Sequence, residues 1–175
     1  MNISGLASAT ITDFNLDESY AKYKKSDKYM GFANIKVGKK PFVVTLKGQI
    51  TTNGIAVGEY EDKTEYSIGF RFDDESELET IKAFEGNLAL YGKGEYTVFS
   101  KIKDNGSLFL KLKLNKEKNA FACTSNEKLD PKNPTATPGP DVPVEVTAKV
   151  GVYFNHVNMA CGLFYTVNNI NFPSV

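Results

Sequence analysis

Tryptophan is missing from this chain of 175 residues, arginine and histidine occur once each (Arg71, His156), and cysteine twice (Cys123, Cys161). Each scarcity excludes a class of chemistry. One histidine and two cysteines, with no CxxC spacing and Cys123 distant from the other two, make a poor match to the three or four nitrogen and sulfur ligands of a zinc site, and they form no disulfide framework. Turn polarity for His156 and burial for the two thiols account for these residues. No segment approaches the ~18 consecutive apolar residues that cross a bilayer. The opening MNISGLASATITDF carries no basic stretch ahead of an apolar run, so no secretion signal is expected. Net charge is also lacking: 21 basic residues balance 21 acidic ones. No global field therefore draws a polyanion to the chain. The expectation is an intracellular protein with reduced thiols and no membrane segment.

Catalytic signatures are scarce too. The acidic run Asp73-Asp74-Glu75-Ser76-Glu77-Leu78-Glu79 suits the positive end of a helix, which explains it without a metal. Gly92-Lys93-Gly94 lacks the remainder of a phosphate-binding loop and reads as a turn. No nucleophile is paired with an evident base. The chain reads as non-enzymatic, with no cofactor and no metal.

What the chain does have is segregated charge and period-two patterning. Residues 21–48 hold eight lysines against one acid, and residues 93–118 seven against three, while residues 59–85 hold ten acids against three bases. Tyr29–Val37 and Pro41–Ile50 read as strands about the turn Gly38-Lys39-Lys40. Glu65–Phe72 is a strand with Tyr66, Ile68, Phe70 and Phe72 spaced by two. Asp17–Lys28 reads as a short helix or an ordered loop. One amphipathic helix follows Asp73 and Asp74, with Leu78, Ile81 and Phe84 on one face; Gly86-Asn87 is a natural stop, although Leu88 and Leu90 could prolong the apolar face. The segment 115–143 holds five of the seven prolines and reads as an irregular, flexible loop. A terminal hairpin closes the chain: Val144, Val146, Ala148, Val150, Val152 and Phe154 alternate with polar residues, and Cys161–Phe172 returns after a turn.

The stretch Glu95–Leu114 reads as a hairpin whose arms each have an apolar face and a face of one Phe and two Lys. A three-residue loop, Asp104-Asn105-Gly106, with Gly106 left-handed, pairs Lys103 with Ser107 and Lys101 with Phe109. In that register Phe99, Lys101, Lys103, Phe109, Lys111 and Lys113 share one face and the leucines lie beneath. Rings stack unpaired bases and ammonium groups follow phosphates, so this face suits a single-stranded nucleic acid. With twenty lysines to one arginine, little of the guanine-reading fork is present, and binding would ignore sequence. Short antiparallel strands with one interposed helix give the expected fold: mainly β, a single OB-like Greek-key antiparallel barrel over residues 1–175.

The order of motifs carries a resemblance. PFVVTL, then YSIGFRF running into DDESELETIKAFEGNL, then SLFLKLKL, a variable loop and VPVEVTAKVGVYFNHVNMACGLFYTVNNINF follow one another. This order resembles the OB-fold single-stranded-DNA-binding proteins of large nucleocytoplasmic DNA viruses and, more distantly, the replication single-strand binders of tailed phages. Lys111-Leu112-Lys113-Leu114 matches that family's basic strand. Val146, Ala148, Val150, Tyr153, Cys161-Gly162-Leu163 and Val167 match its closing pair. The match runs from Pro41 to Phe172; it departs from the phage proteins where NINFPSV stands in place of an acidic tail. The resemblance implies sequence-independent coating of DNA strands in viral replication or recombination. The compartment would then be the host cytoplasm or nucleus, or a viral replication compartment, and the partners single-stranded DNA or RNA, replication proteins or a second copy of the chain. By position it assigns binding to Lys101, Lys103, Lys111, Lys113 and Phe109, with Phe99 and Tyr153 as stacking rings; Lys39 and Lys40 of the basic turn join them. Two other readings fit the same residues: a structural or assembly β-module acting through protein contacts, and an oligosaccharide-binding barrel.

Overall fold

The computed structural model describes residues 2–12, 14–124, 129–130, 132–133 and 138–173. In chain order they form a 3-10 helix (Ile3–Ser8), β1 (Thr10–Thr12), α1 (Leu16–Ser26), β2 (Met30–Val37), β3 (Lys40–Pro41), β4 (Val43–Ile50), β5 (Ala56–Tyr60) and β6 (Lys63–Phe72). Then follow α2 (Glu75–Tyr91), β7 (Thr97–Val98), β8 (Ser107–Leu112), β9 (Leu114–Asn115), β10 (Ala120–Phe121), β11 (Pro143–Asn155) and β12 (Ala160–Asn171). The protein is mainly β, with antiparallel pairing throughout except where β7 runs parallel to β12 and Cys123 bridges Ile170.

The helices decide two points. Asp17–Lys28, read as a short helix or an ordered loop, falls largely within α1, whose start is capped by the Asn15 side chain accepting from Glu18 N. Asp17 and Glu18 lie in its first turn and Lys24 and Lys25 in its last, charges that suit the helix dipole. α2 does not stop at Gly86-Asn87 but runs on to Tyr91, because Leu88 is fully buried one turn beyond Phe84. That burial outweighs the ~1 kcal/mol that a mid-helix glycine costs.

The chain resolves into two compact units. Unit 1 comprises Met1–Val43, Ser76–Lys101 and Val150–Phe164. Its strands lie in the order β1, β2, the second half of β11, the first part of β12, and β7. Ala33 and Ile35 of β2, Val152 and Phe154 of β11, and Cys161 and Leu163 of β12 point to the buried face. Ile81, Phe84 and Leu88 of α2 and Ile3 and Leu6 of the 3-10 helix are buried with them. Phe154 anchors this core: Phe14 stacks on it at 5.0 Å and Tyr96 meets it edge-on at 5.5 Å.

Unit 2 comprises Val44–Glu75, Ile102–Lys149 and Tyr165–Val175. β6 is its centre, pairing with β4 and β5 along one edge and with β8 along the other. The first half of β11 follows β4, beginning where Ile50 N donates to Val142 O and Asp141 N to Ile50 O. Leu46, Ile50, Ile68, Phe70, Leu108, Leu110, Val144, Val146 and Ala148 form the core, as the alternation in those strands predicts. The segment expected to be irregular contains a short β9–β10 ladder, Ala120 opposite Asn115 and Phe121 opposite Leu114. Leu129 is buried. Of the expected flexible loop, residues 125–128, 131 and 134–137 lie outside the described residues.

Candidate nucleic-acid interface

The turn at the centre of Glu95–Leu114 forms as expected. Lys103 N donates to Ser107 O at 2.7 Å, Gly106 N donates to Lys103 O at 2.9 Å, and Gly106 has φ +80°, a left-handed conformation that favours glycine. The ribbon beyond it does not form. The first arm leaves strand after Val98; it pairs in parallel with β12, and Phe99 N donates to Cys161 O at 2.8 Å. The second arm is β8, and its partner is β6, from Arg71 opposite Ser107 to Tyr66 opposite Leu112. The expected Lys101–Phe109 pair is thus replaced by Gly69–Phe109. Physically, β6 sets Phe70, Ile68 and Tyr66 opposite Leu108, Leu110 and Leu112, a six-residue ladder with an apolar partner for each of these leucines. Phe99, Lys101, Tyr153, Lys39 and Lys40 fall in unit 1; Lys103, Phe109, Lys111 and Lys113 fall in unit 2.

In unit 1 the exposed sheet face carries an aromatic platform that the sequence reading captured only in part. Phe32 on β2 lies opposite Tyr153 on β11, and Phe164 on β12 meets Phe32 edge-on at 5.5 Å. Two glycines make room for these rings. A Cβ at Gly151 would lie 2.5 Å from the Phe164 ring, and one at Gly162 would lie 2.5 Å from Phe99 O and 3.0 Å from the Tyr153 ring. The rings thus lie down across bare backbone. Phe32 is 59% exposed and Phe99 56%. The Lys101 ammonium sits 5.4 Å from the centre of the Tyr153 ring, and burial pushes the Tyr153 hydroxyl above its ordinary pKa. Phe32 and Phe164 were missed because they sit in strands read only for their buried alternation; the signal was the Gly151 and Gly162 positions on the outer face. Lys39 and Lys40 lie in the turn beyond the far end of β2, with Lys40 opposite Val37, roughly 17 Å along the strand from Phe32 at ~3.3 Å per residue, so they are not part of this platform.

In unit 2, Phe109 and Lys111 share the outer face of β8 with Ser67, Gly69 and Arg71 of β6. Phe109 is 50% exposed, and the Lys103 ammonium lies 4.9 Å from its ring centre. Lys111 pairs with Glu65 at 3.7 Å. This pair is exposed and contributes ~0–1 kcal/mol, so a phosphate would compete for the lysine. Lys111 and Lys113 line a cleft of about 790 Å³ with Lys63, Lys116, Tyr66 and Tyr165. Arg71 is engaged within the protein, donating to Gln49 Oε1 at 2.8 Å with Asp141 at 3.6 Å.

His156 sits at the β11–β12 turn but is buried, a correction to the reading of it as a polar turn residue. Its Nε2 is hydrogen-bonded to Ser19 Oγ at 2.7 Å and its Nδ1 to the Tyr96 hydroxyl at 2.6 Å, with Tyr20 and Tyr23 of α1 around the ring. Burial lowers its pKa. The serine oxygen packs on Gly31, so this relay docks α1 to the sheet. Cys161 is fully buried and its thiol is pushed up to about 11, which leaves it protonated and unreactive. Glu85 is also buried; desolvation raises its pKa, opposed by the Ser100 hydroxyl donating to Oε1 at 3.0 Å and by Lys82. Among the described residues no group of three histidines, cysteines or acids lies close enough to hold a metal ion. What these surfaces offer is flat rings with lysine ammonium groups beside them. No known protein family, curated sequence or solved structure matches this chain.

Proposed function

We propose that the protein binds single-stranded DNA with little regard to sequence, as a non-enzymatic OB-like module of the kind the motif order resembles. The observation that carries this reading is the unit 1 platform, where Phe32, Tyr153 and Phe164 lie on an exposed sheet face over two glycines with Lys101 beside them. A flat ring stacks on any base and distinguishes none, at ~1–3 kcal/mol per base, while lysines follow the phosphates as point charges. The Phe109 face and lysine cleft of unit 2 supply the same two elements.

The test is fluorescence anisotropy with a labelled oligo-dT. Phe32→Ala and Phe164→Ala should each weaken binding about tenfold. Joint replacement of Lys101, Lys103, Lys111 and Lys113 by alanine should largely abolish it, with the thermal midpoint held. Wild-type affinity in these variants would overturn the site. The exposed rings favour one other reading, a protein-contact module, since such rings also anchor interfaces. A stable homo-oligomer by light scattering that ignores oligo-dT would support that alternative instead.

A further inference from the structure

Between α1 and the start of β2 in unit 1 lies a cavity of about 320 Å³, at the small end of ligand pockets. Its floor is fixed. Gly31 brings bare backbone there, and an added Cβ would strike Ser19 Oγ and the Phe14 ring. Ser19 is in turn held by His156, and Phe14 is stacked on Phe154. Lys22 and Lys28 are among the lining residues, and neither takes part in the ion pairs formed among the described residues. Glu18 is the one acid among the described lining residues. Phe32 belongs both to this cavity and to the aromatic platform.

We propose that this cavity receives the terminal phosphate of a bound single strand, with the end base lying on Phe32. The inference rests on the single-strand reading and adds to it an end preference. Two arguments favour an end over an internal linkage. Gly31, Ser19 and Phe14 back the cavity on the protein side, braced by His156 and Phe154, so a free end can be seated there without the strand having to run on through the protein. A terminal monoester also carries ≈ −1.5 to −2 charges near neutral pH, against one for an internal diester, so two lysines facing one carboxylate discriminate in its favour. The chemistry is the same at either end of the strand, so the experiment must separate 5′ from 3′.

Oligo-dT of one length is prepared with a 5′-phosphate, a 3′-phosphate or neither, and titrated onto wild type, Lys22→Ala/Lys28→Ala and Glu18→Gln. One phosphorylated end should bind about five- to tenfold tighter than the hydroxyl form. That gain should vanish in the lysine variant and grow in Glu18→Gln, where the opposing charge is gone. Equal binding of all three oligomers to wild type overturns the cavity's role and leaves the single-strand reading standing. A gain that survives Lys22→Ala/Lys28→Ala also overturns it. No binding of any oligomer overturns both.

Discussion

His156 is where a single side chain governs the response to acid. In the unfolded chain its imidazole takes up a proton near its ordinary 6.5; in the native protein burial delays this to lower pH. Its native environment is therefore fully supported above about pH 6.5. Stability is lost as pH falls from there toward the lowered native value, because the unfolded chain binds the proton first. Protonation would also put a cation beneath Tyr20 and Tyr23, whose rings already carry the Lys24 ammonium at 5.3 and 5.5 Å. Glu85 acts with the opposite sign, in a window beginning at its ordinary 4.5: its raised pKa weakens the fold as pH rises from there until the native carboxyl too has ionised. Thermal midpoints should be flat above about pH 6.5 and decline as pH falls below it. His156→Gln should lower the plateau and flatten the decline; an unchanged decline would assign it to other groups.

At the scale of elements, α2 offers a direct trial of the balance struck at Gly86. That residue is exposed in mid-helix, and a Cβ built there meets nothing within 4 Å. Gly86→Ala should raise stability by ~0.5–1 kcal/mol, read as a shift in the urea midpoint with unchanged slope. A loss would mean that the glycine serves a contact outside the described residues. The elements also show how far the sequence could be read. Strand positions and buried faces in β4, β6, β8 and β11 were legible, because alternation with one apolar face has a single solution. The choice of partner was not. Val98 and Leu108 each announce a strand, yet nothing in a period of two says that one will join β12 and the other β6. The Lys103–Gly106 turn was legible because turn chemistry is local; the ladder it was expected to close depended on distant residues. The same division runs through the site, where Phe109, Lys111, Phe99 and Tyr153 were named from local pattern. Phe32 and Phe164 became visible only once the strands stood side by side.

For the whole molecule, zero formal charge sharpens the electrostatic expectation. With no net field, attraction to a strand must come from local lysines, and salt dependence counts them. Four phosphate contacts, from Lys101, Lys103, Lys111 and Lys113, give a slope of log K against log salt near about −3, at −0.7 per contact for single strands. Anisotropy titrations across a salt series measure it, and a slope near zero would remove phosphate binding from the account. One feature of the architecture also bears on how any of this is approached at the bench. Each compact unit is assembled from three separated stretches of chain. No single cut in the gene therefore liberates either one intact, and a minimal binding fragment obtained by trimming would report a broken core, not a lost contact. Point changes on the uncut chain are the informative route.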